Sequence, residues 1–434
     1  MEKVKKTLSF VEALAIVVGM IIGSGIFLKP SIVLADAGTP LASLLAWIAG
    51  GIITLASALS ISEIASAIPR SGGLYTYLEE LYGEPVGYLL GWVQTIVSYP
   101  ASIAAQAIAF ATYANVFLPM GDWTQKFMAF GVLGFLLLMN ILSTKYGGMI
   151  QTIATVGKLI PIIVIMGLGL FSAGSLNFTA GEAATMTGFG AAILGTLWAY
   201  DGWIGVTNMA GELKNPGKSL PKVITIGILI PIVVYAIFNI VMFKVLPYEE
   251  MVASATPGAL AAERLLGAGG AAFITAGIMI SVFGALNGYL MTAARVPQVM
   301  GAKGQLPFGK VLGALHPKFQ TPANALIFQA VIAVLYILSG SFNTLTDMLI
   351  FVLWIFFTLG VIGVFVMRIK RPDLQGEYKV PLYPIVPIIG IAGSSYIIIS
   401  TIMSDPVNSF VGIGLTVIGL PVYFWSKKKK AAAK

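Results

Sequence analysis

The sequence predicts an all-α polytopic membrane protein of twelve transmembrane helices, and three observations carry that prediction. Of the 434 residues, 57% are apolar and only 10% are charged, whereas a soluble domain carries about 25% charged residues. So few charges cannot cover a water-facing globule of this length, which excludes a soluble enzyme, a nucleic-acid-binding domain and a disordered regulator. Apolar runs of membrane-crossing length recur along the whole chain. The basic residues also divide unevenly between the two sides that those runs define.

The apolar windows fall at about 9–35, 41–66, 86–117, 125–143, 148–172, 187–212, 220–246, 270–298, 322–339, 344–368, 382–403 and 407–425. The first has a basic start but no small-residue cleavage pattern, so it is expected to be a retained helix and not a signal peptide. After the second, the segment Ile68–Pro85 carries an aromatic and acidic pattern that predicts a short interfacial helix. The third and eighth windows are too long to stand upright and require tilt or interfacial ends.

With twelve spans both termini share a side, and that side holds Lys3, Lys5, Lys6, Arg70, Lys145, Lys214, Lys218, Lys222, Arg295, Lys303, Lys310, Lys318, Arg368, Lys370, Arg371, Lys379, Lys427 to Lys430 and Lys434. These are 21 of the 26 basic residues. Lys29, Lys126, Lys244 and Arg264 fall opposite, and Lys158 lies inside a span. The positive-inside rule then predicts a multi-pass protein with both termini cytoplasmic, and the net charge of +8 needs no nucleic-acid partner. The Lys427–Lys430 run reads as a stop-transfer anchor that can also meet anionic lipid headgroups. Cysteine is absent, which excludes disulfides and thiolate chemistry, and the lone His316 gives no basis for a metal site.

Two glycine-containing steps interrupt the apolar pattern. Span one reads Ile21-Ile22-Gly23-Ser24-Gly25-Ile26 and span six reads Trp198-Ala199-Tyr200-Asp201-Gly202-Trp203. A continuous helix is weak at both places. Broken helices at corresponding positions of two halves point to a transporter site at the bilayer midplane. The spacing suits two five-span repeats, about 9–172 and 187–370, with about 382–425 added, all in one transporter domain. Repeats with an odd number of spans must be inverted.

The expected chemistry follows from unwinding. Amides freed by unwinding at Gly23, Ser24 and Gly25 would sit at the positive start of a half-helix and suit a carboxylate. Freed carbonyls at Ile21, Trp198, Ala199 and Asp201 would suit an ammonium, so the pair fits a zwitterionic amino acid. Close helix packing is the plain alternative for the small residues. Lys158 lies about ten residues, or about 15 Å, into span five. An ionisable group at that depth is either functional or a structural tie between helices. Asp201 either neutralises charge near the site, meets the substrate amine, faces a water-filled vestibule or caps the following half-helix. Trp198, Tyr200 and Trp203 flank the break as gating or pocket-lining candidates. Tyr235 in span seven and Asn287 in span eight are candidates for lining the cavity or coupling its movements.

Those two breaks resemble signatures of the amino acid–polyamine–organocation (APC) superfamily. So do Gly72-Gly73-Leu74-Tyr75-Thr76-Tyr77, Thr144-Lys145-Tyr146-Gly147-Gly148, Gly211-Glu212-Leu213-Lys214-Asn215-Pro216 and Phe283-Gly284-Ala285-Leu286-Asn287-Gly288. The set is most similar to the L-amino-acid transporter (LAT) family, and within it to bacterial serine/threonine and alanine/serine/cysteine exchangers. The resemblance implies a leucine-transporter-type fold of five plus five inverted repeats. It also implies Na⁺-independent exchange of small neutral L-amino acids across the plasma membrane, with no cofactor and no enzymatic activity. Ser24, Gly25 and Ile26 would then bind the carboxylate, Ile21, Trp198 and Asp201 would face the amine, and Trp198 would be the gating aromatic. Lys158 would stand at the family's vacant sodium site. Animal relatives carry a disulfide-linked heavy chain, a partner that a chain without Cys cannot hold by that bond. A proton-coupled symporter or polyamine antiporter of the same superfamily is the alternative.

Overall fold

The computed structural model describes residues 8–172, 175, 176, 178, 181, 185–339 and 342–432. Lys3, Lys5, Lys6 and Lys434 lie outside them, as do the side chains of Lys429 and Lys430. The first and third helices start where the sequence supplies a capping side chain. Ser9 and Glu12 form a reciprocal capping box at the head of α1 (Phe10–Ile21), satisfying two amides that the first turn would leave unpaired. A three-residue interruption precedes α2 (Gly25–Ala37), which ends at the left-handed Gly38. Thr39 then caps α3 (Pro40–Ala67), whose first position is a proline with no amide to satisfy.

The expected interfacial segment is helical as α4 (Leu74–Tyr82), which turns sharply at Gly83 into α5 (Glu84–Val93). One π-helical turn, Gln94–Ser98, joins α5 to α6 (Tyr99–Ala114). Pro100 cannot donate to the carbonyl four residues before it, and that carbonyl, Ile96 O, accepts the Tyr336 hydroxyl at 3.2 Å instead. Next come α7 (Asp122–Leu142) and α8 (Thr144–Leu170), then α9 (Met186–Ala199), the four-residue α10 (Gly205–Asn208) and α11 (Pro216–Val245). Pro221 in α11 repeats the device seen at Pro100, leaving Gly217 O to the Ser66 hydroxyl at 2.8 Å.

Short α12 (Tyr248–Ala253) leads into α13 (Pro257–Ala293), bent at the left-handed Gly267, and α14 (Arg295–Ala302). The chain finishes with α15 (Gly309–Leu312), α16 (Ala323–Ser339), α17 (Phe342–Lys370), α18 (Ile385–Ser404), α19 (Pro406–Val417) and α20 (Gly419–Ala432).

Among the described residues, ten helical segments are long and apolar enough to cross a membrane. Met186–Ala199 and Ala323–Ser339 are shorter apolar helices at two further windows. The longest segments are Gly269–Ala302, with 34 residues, and Glu84–Ala114, with 31. They are the two that the sequence marks as too long to stand upright.

The burial pattern is that of a membrane protein turned outward. On α8, Ile153, Val156, Ile160 and Ile163 are exposed, while Gln151, Thr155 and Lys158 on the opposite face are buried. Polar groups inside and a bare aliphatic stripe outside match a lipid environment and reverse the rule for water. Lys29, counted from the sequence among the charges opposite the basic side, is fully buried within α2.

Candidate substrate site

The backbone of span one leaves the helix after Ile21. Ile22 N–H still reaches Val18 O at 2.9 Å, but Gly23 N–H folds back to Ile21 O at 2.8 Å, and α2 starts afresh. Its first internal bonds are those of Phe27 and Leu28 to Ser24 O. The amides of Ser24, Gly25 and Ile26 therefore find no backbone acceptor among the described residues. These are the orphan donors of a helix N-terminus, where the dipole is positive. The Ser24 hydroxyl beside them is completely buried and also has no partner.

Span six breaks at the same level. Its helix stops at Ala199, the chain turns through Tyr200–Ile204, and only α10 and a 3₁₀ turn, Ala210–Glu212, follow. The break is therefore longer than an Asp-Gly kink within one helix, and Asp201 caps no helix. The two interruptions touch: a Cβ on Gly25 would lie 2.5 Å from Ala199 Cα. Gly202 has φ +101°, and a Cβ there would come within 2.7 Å of the Met20 side chain. Glycine is thus required at both positions, at Gly25 for space and at Gly202 for backbone conformation as well.

Three side chains bind the freed carbonyls. Lys158 Nζ donates to Gly19 O at 2.7 Å and to Ile22 O at 2.6 Å, so the buried ammonium sits against the end of α1. Ser281 of α13 donates to the same Ile22 O at 3.1 Å. The Tyr235 hydroxyl lies 2.7 Å from Ile21 O and 2.8 Å from Ala199 O, its single proton shared between one carbonyl of each broken span. Asp201 is buried and accepts the Tyr289 hydroxyl at 2.7 Å, while its amide bonds to Trp198 O at 3.1 Å.

An amino acid permease model matches residues 8–425 of this chain. The chain belongs to the amino acid permease family. The permease is 42% identical over 430 residues to the serine/threonine exchanger SteT of Bacillus subtilis, covering 99% of this chain and 98% of that protein. It is 32% identical over 431 residues to the human b(0,+)-type amino acid transporter 1, covering 97% of this chain and 88% of that one. The human large neutral amino acids transporter small subunit 2 is also 32% identical, over 448 residues, covering 98% of this chain and 82% of that one. The superfamily and LAT-family resemblance drawn from the motifs is thus borne out. The permease is a multi-pass membrane transport protein and not an enzyme.

The remaining sequence candidates divide. Ile26, Trp198 and Trp203 are buried around the breaks, and the Trp203 ring packs on Phe357 with centroids 5.2 Å apart. Tyr200 turns away to donate to Trp47 O at 3.1 Å. Asn287 makes its inter-helix contacts with α7 and α8. It accepts from Asn140 Nδ2 at 2.9 Å and donates to Gly147 O at 2.9 Å and Gln151 Oε1 at 3.0 Å. Its tie to span one is indirect, through Gln151, whose Nε2 reaches Ala15 O at 3.5 Å beside the Thr155 hydroxyl on the same carbonyl.

Sequence reasoning missed three groups at the permease's centre. Gln106 of α6 brings its Nε2 to within 3.1 Å of where a Gly23 Cβ would stand, and Ser281 and Tyr289 bond as described above. Each is a single polar residue in an apolar helix, as Tyr235 and Asn287 are, and nothing local in the sequence separates those that meet a broken span from those that serve other helices.

Away from the breaks, the segments before span one, after span six and after span eight are tied to one another. Arg295 and Glu212 form a buried ion pair with contacts of 2.9 and 3.3 Å, and Leu8 N–H bonds to Glu212 O at 3.0 Å. Gly73, at φ +54°, leaves room for Thr207 and Asn208 where a Cβ would collide at 2.3 and 2.4 Å. Farther out, the Tyr75 hydroxyl donates to Gln305 at 2.5 Å, and burial together with the Glu79 carboxylate holds its phenol well above the ordinary range.

Proposed function

We propose that this permease is a Na⁺-independent exchanger of small neutral L-amino acids of the alanine, serine, threonine and cysteine type, working in the plasma membrane by alternating access. The observation that carries the reading is the start of α2, where three unpaired amides and the unpaired Ser24 hydroxyl converge beside the second broken span. Ser24, Gly25 and Ile26 would hold the substrate carboxylate, with Gly23 giving the turn its freedom. The carbonyls of Ile21, Trp198, Ala199 and Asp201 would receive the ammonium, each through a lone pair left over from the contacts already made.

In this reading Lys158 supplies the positive charge that a coupling Na⁺ would otherwise bring to the Gly19 and Ile22 carbonyls. Tyr235 would release Ile21 and Ala199 as the substrate ammonium enters. Twelve spans in two inverted repeats of five, with both termini cytoplasmic, complete the proposal. The uneven distribution of basic residues and the pair of broken helices support it.

Uptake of labelled serine, alanine and larger neutral amino acids into proteoliposomes tests the reading. Uptake should require amino acid inside the vesicles and should ignore Na⁺ and pH gradients. Full uptake into empty vesicles driven by either ion would overturn it.

A further inference from the structure

A cavity of about 920 Å³ lies where α14, α15 and the loop between them meet α20. Its lining includes two cations, Lys303 and Lys310, and no carboxylate. Lys303 is already paired with Glu79 at 2.5 Å, whereas Lys310 is exposed and has no ion-pair partner among the described residues. On the opposite wall Ser426 is 7% exposed, and its buried hydroxyl has no hydrogen-bond partner. Exposed Lys427 and Lys428 follow it directly. A cavity whose lining carries an ammonium without an ion-pair partner and an unpaired hydroxyl is suited to an anionic oxygen.

The rim has the opposite character. Phe308 is held at φ +58°, a conformation unfavourable for a bulky side chain, and is 83% exposed. Val311 and Trp425 beside it are also exposed, and α15 packs on α16, whose Ile327, Val331 and Leu335 form an outward aliphatic stripe. A free phosphate would need the polar wall alone. A polar wall joined to an apolar stripe needs a ligand with both parts. We propose that this cavity binds the phosphodiester headgroup of an anionic phospholipid, whose acyl chains lie along Phe308, Val311 and the outer face of α16.

Native mass spectrometry of the full chain equilibrated with equal amounts of phosphatidylglycerol and phosphatidylcholine tests the assignment. The wild type should retain phosphatidylglycerol by about fivefold or more over phosphatidylcholine, the factor expected from one basic residue near an anionic headgroup. Lys310→Gln combined with Ser426→Ala should bring the ratio to about one while amino-acid exchange persists. Should that variant fail to fold, Lys310→Gln alone, on an exposed side chain, decides the matter by the same ratio. Equal retention of the two lipids by the wild type, an unchanged ratio in the variant, or displacement of the bound lipid by inorganic phosphate would overturn the proposal.

Discussion

Lys158 has two of its ammonium protons on carbonyls at the end of α1, Gly19 O and Ile22 O. Lys158→Ala would strand Gly19 O and leave Ile22 O with only the 3.1 Å contact from Ser281. A buried unsatisfied group costs about 1–3 kcal/mol. That loss falls on the element that must rearrange during exchange, so exchange should drop by about tenfold or more while the protein stays monodisperse in detergent. Wild-type exchange in that variant would reduce Lys158 to a tie between helices. The lysine was legible in the sequence because a cation inside an aliphatic run stands out at once. The bridge made by Tyr235 was not, since its two acceptors lie 214 and 36 residues away and a tyrosine in an apolar helix is ordinary. Asn287 illustrates the converse: its polarity was visible, but only packing shows that it serves the junction of α7, α8 and α13.

Among the elements, the two interruptions behave as one unit because Gly25 rests on Ala199. Gly25→Ala would place a methyl group 2.5 Å from Ala199 Cα, against backbone that cannot rotate away. Substrate binding in the purified variant, measured by thermal shift with serine, should be lost, whereas Gly134→Ala, with nothing within 4 Å of its added Cβ, should bind as the wild type does. Equal binding by the two variants would refute the contact's importance. The location of both breaks was readable from Gly-Ser-Gly and Asp-Gly steps within apolar windows. The length of the second was not. Propensity marks a weak point in a helix, but the five-residue turn at Tyr200–Ile204 is set by Tyr235, Tyr289 and Met20 arriving from other helices.

On the scale of the whole molecule, hydropathy alone located the ten segments that are long and apolar enough to cross a membrane, because lipid demands the same aliphatic exterior of each. The ties among the ends of spans one, six and eight depend instead on partners far apart in the chain, such as Glu212 with Arg295 and Leu8 with Glu212, which no local pattern reveals. The tether on Lys158 has an electrical consequence. A sodium ion that accompanies cargo carries current, and moving one charge through 100 mV is worth about 2.3 kcal/mol. On the proposed function, an ammonium covalently fixed to α8 remains behind when the substrate leaves, so each cycle would trade one zwitterion for another and move no net charge. Exchange in proteoliposomes clamped with potassium and valinomycin should run at the same rate at either polarity, and a cell using this permease would find its amino-acid traffic indifferent to the state of its membrane potential.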